Sequence, residues 1–263
     1  MDKSQDRFPL HTAARERKVS VAETLLKTEP KLATREDDDG RLPIHWAASS
    51  NCLEIIILLA QQRNFDPDVQ DGSGWTPLMI SASIKDGEPL VNLLLQKGAD
   101  VNLKSKPPHS SLPVSSESTT YHSKRCRKQL NRLTQSVLHF VASKNNLDVA
   151  RLLLSHEPPA STRVRDKRGQ YPIHRAAAVG SVPMTTLLIK NKSPLNATDI
   201  CGYTALHHAV AEGHGDTAVA LIKAGAELGK KDNDGHLALD LAPDKEVSDD
   251  TAHPLPTNIS GTG

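Results

Sequence analysis

One tetrapeptide recurs along the chain. Phe8-Pro-Leu-His11, Leu42-Pro-Ile-His45, Thr76-Pro-Leu-Met79, Ser136-Val-Leu-His139, Tyr171-Pro-Ile-His174 and Thr204-Ala-Leu-His207 are six copies, and Leu237-Ala-Leu-Asp240 is a degraded seventh. Their fourth positions are separated by 34, 34, 60, 35, 33 and 33 residues. A period of this length means one supersecondary module per copy. Such a module cannot bury its apolar face alone, so the copies must stack into a solenoid. Composition agrees: with only Phe 3, Tyr 3 and Trp 2 in 263 residues, the core must be Leu, Ile, Val and Ala, which suits thin stacked helices.

Each copy reads as a turn, an inner helix and an outer helix. Asp39-Gly40, Asp71-Gly72, Arg168-Gly169, Cys201-Gly202 and Asp234-Gly235 place glycine where a tight turn needs positive φ. Pro43, Pro77 and Pro172 open inner helices, where a missing N–H costs nothing. Leu53, Ile56 and Ile57, Val91, Leu94 and Leu95, Val149, Leu152 and Leu153, Leu187 and Leu188, and Val219 and Ile222 mark outer helices. Pro89 and Pro183 fit first turns of outer helices, and Asp216 an N-cap. The 60-residue spacing points to an insertion at 104–135, with seven Ser, three Pro, seven Lys/Arg and one acid. Its composition predicts disorder. The predicted organisation is an all-α array: repeats one to three over 1–103, the insertion, repeats four to seven over 136–243, and an irregular tail over 244–263.

The chemistry of an enzyme is not visible. Lys+Arg 32 against Asp+Glu 31 gives no overall pull toward nucleic acid or an anionic membrane. The longest apolar run, Ile55 to Ala60, is far too short to span a bilayer. Three scattered cysteines make no disulfide framework or zinc module, and fit a reducing compartment. His11, His45, His139, His174 and His207 recur once per repeat, roughly 10 Å apart, too far to share a metal. They are expected to bond backbone between neighbouring turns. His207, His208 and His214 with Glu212 are the one local cluster, and no metal is expected there. Gly225 to Lys231 departs from a phosphate loop in spacing, and Asp232-Asn-Asp-Gly235 from a calcium loop. Neither a nucleotide nor another cofactor is expected. Lys124 to Lys128 reads either as a solvated charge run or as a basic localisation or nucleic-acid patch.

A stacked array offers its hairpins and inner helices as one concave surface. The positions after the recurring histidine, Trp46, Ile80, Phe140, Arg175 and His208, should point onto it. Trp46 and Trp75, both of the chain's tryptophans, fall on this face, as interface anchors or as packing at stack joints. Asp37, Asp38, Asp39 and Asp71 crowd the early hairpins around Arg41, while Lys144, Lys167, Arg168 and Arg175 lie further along. That order suits a partner with the complementary order of charge.

The Thr/Leu-Pro-Leu/Ile-His units at this period resemble ankyrin repeats. Asp39-Gly-Arg-Leu-Pro-Ile-His-Trp46, Gly74-Trp-Thr-Pro77, Ala142-Ser-Lys-Asn145, Ile173 to Ser181 and Ala211 to Asp216 further resemble the gankyrin family of proteasome-assembly chaperones, in its fungal form. That resemblance runs from about residue 7 to 243 without the insertion. It implies a monomeric, non-enzymatic scaffold of the cytoplasm and nucleus, clamping the C-terminal domain of one AAA-ATPase subunit of the proteasome base. Arg41 and Lys144 would then pair with partner carboxylates beside Trp46 and Trp75, and both are expected to be dispensable for folding. Other ankyrin adaptors, inhibitors of kinases or transcription factors, share the fold; a nucleic-acid binder would rest on the basic segment alone.

Overall fold

The computed structural model describes residues 7–105 and 134–243. Disorder expected within the insertion, the basic cluster Lys124 to Lys128 and the tail 244–263 fall outside these residues. Six helix pairs succeed one another: α1 (Pro9–Arg15) with α2 (Val19–Thr28), α3 (Pro43–Ser49) with α4 (Leu53–Ala60), α5 (Pro77–Ser83) with α6 (Glu88–Gln96), α7 (Val137–Lys144) with α8 (Leu147–Ser155), α9 (Pro172–Val179) with α10 (Val182–Lys190), and α11 (Ala205–Ala211) with α12 (Gly215–Lys223). The seventh copy forms only a 3₁₀ turn, Ala238–Leu241. Inner helices stack on inner helices and outer on outer, and the core between them is aliphatic, with Leu10, Ile55, Leu94, Leu138, Ile173 and Leu188 fully buried. Val21, Ile57, Val219 and Ile222 are the large apolar outer-helix residues left exposed among the described residues.

The recurring histidine explains why so short a helix starts where it does. In α3, α7, α9 and α11 its Nδ1 accepts the N–H of the residue before the helix: Leu42 at 3.0 Å, Ser136 at 3.3 Å, Tyr171 at 3.1 Å and Thr204 at 3.2 Å. Nε2 therefore carries the hydrogen, and in His11, His45, His139 and His174 it reaches a backbone carbonyl: Arg41, Val69, Gln170 and Ala197 respectively, at 2.9–3.2 Å. The ring caps its own helix and bolts it to the next repeat. In the seventh copy Asp240 does the capping half, its Oδ2 accepting from Leu237 N at 2.9 Å.

Turn geometry departs from two expectations. Gly40, Gly169, Gly202 and Gly235 take positive φ, but in the third hairpin the left-handed residue is Gly74 (φ 79°), not Gly72. Gly72 is needed for closeness instead. Its N–H donates to Asp39 O at 3.1 Å, coupling two hairpins, and a Cβ there would lie 2.3 Å from that oxygen. Gly72→Ala is expected to lose this bond and cost about 1–3 kcal/mol, read as a lower urea midpoint. Asp216 lies in the first turn of α12, and the residue before that helix is His214. The reason is tertiary: His214 Nε2 donates to Ala178 O at 3.2 Å, and its ring fills the space where a Cβ on Gly180 would be.

The insertion leaves the array's hairpin pairing in place. Ser105 N donates to Gln135 O at 2.9 Å, and Gln135 N to Ser105 Oγ at 3.0 Å. Lys104 and Ser136 form an antiparallel bridge. Lys104, Ser105, Thr134 and Gln135 thus belong to the fourth hairpin's framework, inside the span assigned to the insertion from composition.

Candidate partner-binding face

Five hairpins are closed by one device that the Asp-Gly dipeptides did not reveal. The closing residue is an aspartate three positions before the turn glycine: Asp37, Asp71, Asp166, Asp199 and Asp232. Its Oδ1 accepts the N–H groups two and four residues on, at 2.8–3.0 Å. The Asp-x-x-Gly spacing, repeated five times, was the signal available in the sequence.

The second oxygen takes a donor from the inner helix nine residues on. Trp46 Nε1 donates to Asp37 at 2.7 Å, Arg175 Nη2 to Asp166 at 2.8 Å and His208 Nε2 to Asp199 at 3.1 Å, where Gln170 Nε2 adds a bond of 2.9 Å. At Asp71 the ninth residue is apolar Ile80, and Arg41 Nε of the preceding hairpin takes its place at 3.2 Å. In the fourth hairpin Ser105 stands in the aspartate position, its Oγ accepting from Gln135 N at 3.0 Å, and apolar Phe140 stands in the place of Trp46. Burial alone would raise the Asp199 carboxyl, but the bonds from His208 and Gln170 hold it down to about 2. Asp37 is likewise held low, against burial, by Trp46 and the turn amides.

This pairing divides the predicted residues in two. Asp71 is buried, with a side chain 1% exposed; Arg175 is 13% exposed against a fully buried Asp166; His208 is spent on Asp199; Ile80 is core. These four hold the face rather than offer it. Arg41, 34% exposed, does both, and this corrects the expectation that it is dispensable for folding. Reversing its charge would set a carboxylate against buried Asp71, at roughly 1–3 kcal/mol after allowance for solvent screening.

What remains open is an aromatic and charged strip. Trp46, half-buried and fixed by Asp37, has the guanidinium of Arg41 5.1 Å from its ring centre and that of Arg15 at 5.8 Å. Trp75 and Phe140 meet at 4.3 Å across the third and fourth repeats. Lys144 and Asp39 are exposed, and no described residue pairs with either side-chain charge. Two aromatic plates held by the framework, with an exposed ammonium and an exposed carboxylate on the same hairpins and inner helices, suit a protein surface better than a small molecule. The contact between Trp75 and Phe140 is packing at a stack joint, and both rings stay partly exposed.

An array of paired helices and bonded hairpins with this face is an ankyrin-repeat protein, and the ankyrin-repeat family matches residues 10–105, 119–196 and 138–232. The human ASB11 ankyrin repeat domain has the same fold, with a TM-score of 0.71 at 18% identity over 90% of this chain and 92% of that one. The chain is also 35% identical, over 91% of its length and 95% of the relative's, to the probable 26S proteasome regulatory subunit p28 of Saccharomyces cerevisiae. An ankyrin repeat-containing protein of Schizosaccharomyces pombe is 36% identical over 86% of each chain. The chain belongs to the p28 family, the fungal form of gankyrin. No catalytic family is indicated.

Proposed function

We propose that the chain binds a protein of the proteasome regulatory particle along its hairpin and inner-helix face, holding the C-terminal domain of a base AAA-ATPase subunit during assembly. The observation that carries this reading is the likeness to p28, which spans 95% of that subunit and both halves of the array. Binding is by occupancy: the solenoid contributes contacts and bulk, with no chemical step of its own, in the cytoplasm and nucleus. Trp46 and Trp75 serve as anchors with little conformational entropy to lose, while Arg41, Asp39 and Lys144 set register by charge.

Lys144 is the cleanest probe because no internal partner depends on it. Lys144→Glu is expected to weaken binding to the isolated ATPase C-terminal domain by about tenfold or more, with the melting temperature unchanged, since exposed substitutions usually stay within about 0.5 kcal/mol. Titration calorimetry decides it. An affinity within about threefold of the parent removes Lys144 from the interface, and a parent chain that does not bind the domain at all removes the partner.

A further inference from the structure

The seventh hairpin breaks the pairing rule of the others. Asp232 Oδ1 closes the turn as elsewhere, accepting from Asp234 N at 2.9 Å and His236 N at 2.8 Å. Its Oδ2 lacks both kinds of donor. The ninth residue is Leu241, and Tyr203, which stands where Arg41 does in the second hairpin, lies against the rings of His207 and His208 at 5.5 and 5.6 Å. Among the described residues none hydrogen-bonds to Oδ2, although the Asp232 side chain is only 1% exposed. A buried carboxylate oxygen without a donor is unfavourable, and every other hairpin that has the carboxylate supplies one.

What faces this oxygen is an imidazole. His236 Nδ1 stands 3.5 Å away, on a side chain 55% exposed, and the Asp234 carboxylate completes a set of three ligand atoms within 4.8 Å of one another. We propose that Asp232, Asp234 and His236 form a surface site for a divalent first-row cation of the zinc type. One nitrogen and two carboxylate oxygens would bind it, with water in the remaining position. Tetrahedral bonds of about 2.1 Å set ligand atoms about 3.4 Å apart, the spacing that Asp232 Oδ2 and His236 Nδ1 already have. Asp234 is exposed and closes the third side by rotation about its own side chain. An imidazole donor favours zinc, copper or nickel over magnesium and calcium, which take oxygen alone. The cation would do for Asp232 what Arg175 does for Asp166. This inference rests on the hairpin pattern alone and is independent of the proteasome reading.

The test uses the full chain, stripped of metal by a chelator and titrated with zinc sulfate by calorimetry, with the imidazole resonances followed by NMR. One equivalent is expected to bind, with the main shift at His236 and a higher melting temperature, since only the folded hairpin assembles the site. His236→Ala and Asp234→Asn should each lower the affinity by about tenfold or more, and both spare the Asp232 bonds that close the turn. Absence of binding at about 100 μM zinc overturns the proposal, as does binding that survives His236→Ala, which would place the metal adventitiously on other histidines.

Discussion

Asp166→Ala is expected to be among the most damaging single changes in the array, lowering stability by roughly 3–5 kcal/mol. Three losses coincide. The amides of Arg168 and Gln170 lose their acceptor, at 2.8 and 2.9 Å, and the fifth hairpin opens. Arg175, 13% exposed, keeps its charge without its carboxylate. His139 then loses the geometry of its bond to Gln170 O, because that carbonyl is positioned by the same turn. Asp166→Asn should cost less, since an amide oxygen still accepts both N–H groups. Thermal melting and hydrogen exchange check this. Loss below about 1 kcal/mol for the alanine variant would show that the pairing is ornamental, whereas exchange rising first at Arg168 and Gln170 is the expected signature.

A second large effect is expected from pH. Burial pushes His139 and His174 down to about 4, against the raising influence of their carbonyl bonds, and lowers His11, His45 and His207 in the same direction. The hydrogen-bond pattern gives a second reason. Nδ1 of the inner-helix rings accepts a backbone N–H, so a proton added there would confront a donor with a donor. The unfolded chain, with ordinary histidines near 6.5, therefore binds more protons than the folded one between about pH 6.5 and 4, and stability falls as pH falls through that window. For His139 and His174 the loss at pH 5 is on the order of 2 kcal/mol each. Asp199 acts in a separate range: held at about 2, its contribution is present above its ordinary value near 3.8 and fades only below it. Urea midpoints measured from pH 7.5 to 5 should drop steeply while the Asp199 contribution stays constant. A flat profile, or imidazole resonances of His139 and His174 titrating near pH 6.5, would contradict the burial argument.

The repeat period made the helices legible because each module uses the same few residues at the same offsets. Pro43, Pro77 and Pro172 begin helices as their chemistry requires, and His11, His45, His139 and His174 bond backbone of the next repeat, whereas Nε2 of the fifth, His207, finds no such carbonyl among the described residues. Less legible was anything set by contact between modules. Asp71 looks like a surface acid until Arg41, thirty residues earlier, is seen to reach it. Arg175 reads as a free cation because its partner lies nine residues back, across a turn and into a helix. That offset becomes visible only when the copies are compared position by position. Asp216 has the residue type of an N-cap, but the contact of His214 with the preceding repeat fixes the helix start two residues earlier than local propensity would. At the candidate face, Asp71, Arg175 and His208 are already paired within the array, which residue type alone did not reveal.

The closed ends of the fourth hairpin bear on how this family can vary. An ordinary hairpin here spans 5 residues from Asp37 to Arg41, and the same pair of backbone groups in the fourth spans 31, from Ser105 to Gln135. The entropy of closing a loop grows only with the logarithm of its length, so this sixfold enlargement costs about 1.6 kcal/mol, less than one buried ion pair of the kind at Asp166. Chain length at this point is thus nearly decoupled from the stack. The modules on either side keep their register across a connection six times the usual length.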